Sequence, residues 1–213
     1  MSPLELDRKE VWFAMGYRDT VPESELRRIV DEVAEEIVPS AKPRHMHRIV
    51  PAAKTSPTTI LLDGLPFRPG GIICSYLDGM TEACVFVATA GKEFDSALRK
   101  LNARGDIVAD FVADAIGTVL AEKAVADLEH SLIPGTEISL PYSPGYCGWD
   151  IREQQNFFKL FPPQPCGIEL SESSLMNPEK SISGFCAFGK TLKRQPYHCD
   201  ICKNEKCYKR KTR

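Results

Sequence analysis

The sequence predicts an α+β fold, and three observations carry that prediction. Strand-like and helix-like segments follow one another without the regular alternation of a doubly wound sheet. The 213 residues suffice for one sizeable core, so a single domain is expected over residues 1–190, with 191–213 set apart as a basic cysteine-containing tail. Charged residues at 26% and hydrophobic residues at 43% are the ordinary balance of a soluble globular protein.

The elements follow in order. Glu5 to Gly16 begins with charge and ends in an apolar run closed by glycine, which predicts a first helix and its stop. Pro22 and Ser24 open a second helix through Val38, whose Leu26, Ile29, Val30, Val33 and Ile37 keep helical spacing. Pro39 and Pro43 break it. His47 to Ala52 and Thr58 to Leu62 read as strands from their β-branched content, and Asp63 to Gly71 as a loop. Ile72 to Leu77 is too short for periodicity to decide between helix and strand. Ala83 to Ala88 is a buried strand, and a helix starts near Glu93. Asp106 caps the longest helix, about Ile107 to Leu132, with Val108, Phe111, Val112, Ile116, Leu120, Ala124 and Leu128 in one stripe. Then come a strand near Glu137 to Leu140, a turn, a helix over Arg152 to Leu160, and strands at Gly167 to Leu170 and Ser181 to Phe188.

Charge is divided unequally. Residues 190–213 hold nine Lys or Arg against Asp200 and Glu205, whereas residues 1–189 hold 18 basic and 27 acidic side chains. No recognised nucleic-acid module accompanies the basic tail, so nucleic acid is not the expected partner. No apolar run reaches the roughly 18 residues a membrane span needs, and Met1 to Lys9 is charged, so a cytoplasmic location is expected. Cys74, Cys84 and Cys186 lie in apolar surroundings and read as inert buried thiols.

Two clusters carry chemistry. In Ser143-Pro144-Gly145-Tyr146-Cys147-Gly148-Trp149, the Pro-Gly pair makes a sharp turn, and Tyr146 with Trp149 forms either a flat ligand face or a plug for the local core. At the other, Cys199, Cys202 and Cys207 bring three thiols within reach of one metal, zinc or an iron–sulfur cluster, with His198, Cys186 or Cys166 as a fourth ligand. Three cysteines do not choose the metal. Glu172 among serines invites a nucleophile reading, but His45, His47, His130 and His198 form no triad motif, so a capping turn and pocket wall is preferred. No catalytic residue is assigned.

Pro144-Gly145-Tyr146, Leu170-Ser171-Glu172-Ser173, Met176-Asn177-Pro178 and Ser181-Ile182-Ser183-Gly184, in that order, resemble the activation domain of cobalamin-dependent methionine synthase in its free-standing form. Weaker likenesses are Val11 to Tyr17, Val85 to Gly91 with Asp95, and Asp114 to Gly117 with Glu122. The resemblance implies a twisted, mainly antiparallel sheet flanked by helices. It implies a reactivation subunit of a cobalamin-dependent methyltransferase, a split methionine synthase above all, that supports reductive methylation of cob(II)alamin with S-adenosylmethionine as donor. Ser143, Pro144, Gly145 and Tyr146 would contact S-adenosylmethionine, and Glu122 its ammonium or ribose. The sequence has no Asp-x-His-x-x-Gly motif, so the cobalamin would belong to a corrinoid-carrying partner. A flavodoxin-like or other reductase would supply the electron. One departure stands out: the family carries arginine four residues before the loop glycine, where this chain has Pro141, which offers no donor. Two rival readings follow, a corrinoid-capping partner that does not bind S-adenosylmethionine and an electron-transfer protein built on the C-terminal cysteines.

Overall fold

The computed structural model describes residues 6–18, 20–132, 138–192 and 194. A five-stranded sheet forms its centre. The strands are β1 (Arg44–Ser56), β2 (Thr59–Leu62), β3 (Leu65–Phe67), β4 (Glu82–Thr89) and β7 (Ser181–Phe188), in the order β3-β2-β1-β4-β7. Every neighbouring pair is antiparallel. Two further strands, β5 (Glu169–Leu170) and β6 (Met176–Asn177), pair only with each other. The α+β class and the antiparallel sheet are therefore as expected. β4 lies between β1 and β7 and is buried on both faces, which explains its unbroken apolar run.

Residues 63–71, expected as one loop, instead hold an edge strand. Leu62 pairs with Leu65 across the two-residue turn Asp63-Gly64, and both turn residues have positive φ (51° and 77°). That is the geometry an Asp-Gly pair favours in a tight hairpin. Pro66 is tolerated because β3 is an edge strand.

The helices are α1 (Arg8–Ala14), α2 (Ser24–Ile37), α3 (Gly70–Cys74), α4 (Lys92–Asn102), α5 (Ile107–Ser131) and α6 (Gln154–Phe157). The undecided stretch after Gly71 thus begins as the end of a one-turn helix. Asp106 caps α5 as expected, its Oδ1 accepting from the amides of Val108 and Ala109, each at 3.0 Å. The α5 stripe holds from Val112 onward. Val108 and Phe111, 46% and 52% exposed, fall outside it, whereas Val112 and Ala113 directly after Phe111 are fully buried. The first half of α5 packs with α1, α2 and α4 around Phe94, Val112 and Ile116. The second half covers Cys84, Phe86 and Cys186 on the sheet.

Two further expectations change. Residues 138–142 form isolated bridges, Ile138 to Phe188 and Tyr142 to Phe185, rather than a strand. Four steps along this segment match three along β7, and Pro141 has no amide to donate. The helix expected over 152–160 is one α turn, α6, between 3₁₀ turns at Ile151–Glu153 and Phe158–Leu160. The tighter winding, three residues per turn, lines up Gln154, Phe157 and Leu160, all at most 2% exposed. Among the described residues no helix is long and apolar enough to cross a membrane.

Candidate functional site

The loop between Tyr142 and α6 is built by backbone conformation first. Pro144 sets the turn, while Gly145 and Gly148 hold φ of 92° and 84°, accessible at little cost only to glycine. Gly145 N donates to Trp149 O at 2.9 Å, and Trp149 N donates to Tyr146 O at 2.9 Å, closing the loop on itself. Its two aromatics then part company. Trp149 is 1% exposed and stacks edge-on against Phe67, Phe157 and Phe185. Its Nε1 donates to Glu153 Oε2 at 2.6 Å, the same oxygen that accepts from Arg68 N at 2.8 Å. Tyr146 is 56% exposed. The two rings therefore do not share a ligand face: Trp149 anchors the loop and Tyr146 alone is presented.

The loop also needs a glycine on the neighbouring strand. A Cβ on Gly184 would lie 2.6 Å from Tyr142 O and 2.8 Å from Ser143 Oγ, closer than packed atoms sit. Tyr142 and Phe185 exchange two backbone bonds, each 2.9 Å, which fix that approach. The Ser-Ile-Ser-Gly segment thus has a steric meaning: its last residue lets the loop lie against β7.

Together these elements border a cleft of about 1770 Å³. Its floor includes Ser181, Ile182 and Ser183 of β7, and one side is the loop with Ser143, Pro144 and Tyr146. From α5 come Glu122 and Glu129. A third side is the turn carrying Ser174, Leu175 and Met176. Gly145 does not line the cleft; it makes the turn, its α-carbon backed by Ile151. Ser143, Pro144, Tyr146 and Glu122 are thus brought to one cavity from segments far apart in sequence.

The third wall is held by Gln154, which no motif in the sequence marks. Gln154 is 2% exposed, its Nε2 donating to Ser174 O at 2.9 Å and its Oε1 accepting from Ser183 Oγ at 3.0 Å. One amide therefore ties wall to floor. Ser171 Oγ accepts from Leu175 N at 3.0 Å, and Gln155 Nε2 donates to Ser171 O at 2.7 Å. The Ser-Glu-Ser-Ser run is thus the capping turn and pocket wall expected of it, with Glu172 exposed.

Charge in the cleft is organised by pairs. Pro141 lines the cleft without a donor. Arg152 lies elsewhere, forked onto Asp150 with Nε 2.9 Å from Oδ2, and this pairing with a backbone bond holds the Asp150 carboxyl down at about 2. Arg194 lines the cleft, its Nη2 3.0 Å from Glu129 Oε2. Beneath that pair, burial and the Glu129 carboxylate push the Cys186 thiol well above its ordinary range. Cys74, Cys84 and Cys186 are all buried, as expected. Cys199, Cys202, Cys207 and His198 lie outside the described residues. Among the described residues, no group of three or more metal-binding side chains comes together.

A family model described as the activation domain of vitamin B12 dependent methionine synthase matches residues 76–213. Among solved structures, the crystal structure of the MetH reactivation domain bound to AdoHcy is similar, with a TM-score of 0.61. Sequence identity is 17%, and the match covers 85% of this chain and 70% of that one, a likeness of fold. No curated protein matches the chain.

Proposed function

The chain belongs to the vitamin B12 dependent methionine synthase activation domain family, and from that premise we propose that it supports reactivation of a cobalamin carried by a corrinoid-binding partner module. Methionine synthase is the setting that membership favours. S-adenosylmethionine, when bound, supplies an activated methyl group, and one electron from a reductase lets the partner's cob(II)alamin accept it.

The chain's own part is positioning and exclusion of water rather than acid–base work. Tyr146 is 56% exposed at the rim of the cleft, and a tyrosine ring is the kind of surface that suits a sulfonium cation or a flat nucleoside. Glu122, from α5, suits an ammonium or a ribose hydroxyl. Ser143 and Pro144 complete the loop side. Trp149, Gly184 and Gln154 act through these residues, holding the loop and the facing wall in place. The observation that carries the reading is the meeting of Tyr146 and Glu122 on one cleft with a largely fixed frame.

Calorimetric titration with S-adenosylmethionine tests it. Binding in the micromolar to low-millimolar range, weakened about tenfold or more in Tyr146→Ala, is the expected result. No binding, alone or with a cobalamin-loaded partner, would overturn it. Pro141 favours a second reading, a corrinoid cap that leaves S-adenosylmethionine unbound, and the same titration separates the two.

A further inference from the structure

We propose that Glu129 and Arg194 form a receptor for the zwitterionic amino-acid end of the ligand, with Arg194 taking its carboxylate. This rests on the reading of the cleft as an S-adenosylmethionine site. The sheet register places the pair. Tyr142 bridges Phe185 in antiparallel sense, so Pro141 falls beside Cys186. Cys186 Sγ lies 3.8 Å from Glu129 Oε1, and Glu129 in turn holds Arg194 Nη2 at 3.0 Å from Oε2 and 3.2 Å from Oε1. The guanidinium is thus linked through Glu129 to Cys186 of β7, and Pro141, Glu129 and Arg194 all line the cleft that Tyr146 borders.

The chemistry suits a zwitterion. A carboxylate beside a guanidinium is the charge complement of an α-ammonium beside an α-carboxylate. Among the described residues, both Arg194 bonds go to Glu129 and leave from Nη2, so the N–H groups of Nη1 and Nε remain as donors to a second carboxylate. The Glu129 side chain is 21% exposed and that of Arg194 46%, so the anion is set by its surroundings while the cation keeps access to the cleft. The other guanidinium groups of the cleft are paired with acids of their own, Arg99 with Asp95 at 2.6 Å and Arg8 with Asp31 at 2.5 Å.

Two ligands and two variants decide the matter. Titration of the full chain compares S-adenosylmethionine with 5′-methylthioadenosine, which has the nucleoside but no amino-acid end. Arg194→Gln should weaken S-adenosylmethionine about tenfold and leave methylthioadenosine unchanged, and Arg194→Lys should recover part of the loss. The melting temperature of Arg194→Gln should stay near that of the parent, since the group is half-exposed. Equal loss on both ligands, or no loss on either, overturns the assignment while leaving the site intact. A parent protein that binds neither ligand overturns the reading of the cleft as well.

Discussion

The α-carbon of Gly184 faces the carbonyl oxygen of Tyr142 so closely that a Cβ there would stand 2.6 Å from it. The two residues belong to different segments, yet each limits the other: the loop reaches β7 only because residue 184 has no side chain. Gly184→Ala should lower stability by about 1–3 kcal/mol, since the obstructing atom is backbone and Phe86 closes the other side at 3.1 Å. A fall in melting temperature with weakened ligand binding is the expected result.

Gln154 offers a second measure of the frame. Gln154→Leu removes the bridging amide and leaves its two partners, Ser183 Oγ and Ser174 O, without it. The expected cost is about 1–3 kcal/mol, read as a lower urea midpoint. Because the turn at Ser174 to Met176 would no longer be tied to the floor, affinity for S-adenosylmethionine should also fall by about tenfold.

The buried thiols predict an alkaline limit. Burial raises Cys84 from its ordinary 9.0 to about 12, and Cys186 rises as well. Both are held neutral in the native state, so their contribution is complete below about pH 9, where the unfolded thiols are still protonated. It is lost as pH rises from there toward the native values. At pH 10 the loss is on the order of 1 kcal/mol for each thiol. Melting temperature measured from pH 7 to pH 10 should fall above pH 9, and less steeply in Cys84→Ala.

The C-terminal cysteines make a separate prediction. If Cys199, Cys202 and Cys207 share a metal, protein purified without oxygen should carry zinc or iron that Cys202→Ser loses. Colour with acid-labile sulfide would mark an iron–sulfur cluster. Metal-free protein with three titratable thiols would dismiss the site.

How far the sequence alone reaches depends on the kind of signal. α2 and the capped start of α5 were legible because spacing and an Asp cap act locally, and β4 because its apolar run is continuous. The Asp63-Gly64 pair is a hairpin signal, but Pro66, Pro69, Gly70 and Gly71 beyond it pointed to a loop. The 3₁₀ winding around α6 was not, because it follows from the burial of Gln154, Phe157 and Leu160 against distant partners. In the site, the turn at Pro144-Gly145 was legible, while the opposite fates of Tyr146 and Trp149 depend on Phe67, Phe185 and Glu153. Nothing in the sequence separates Arg194 from the other bases of the tail; only its meeting with Glu129 does.

The sequestered indole gives the loop an optical gauge. Trp149 lies three residues from Tyr146, edge-on to three rings and 2.6 Å from a carboxylate oxygen, a surrounding that polarises its excited state and fixes its orientation. Any displacement of the loop that shifts these contacts would change that field. With Trp12, the other indole, replaced by phenylalanine, emission from a single chromophore follows docking of ligand or partner without a label.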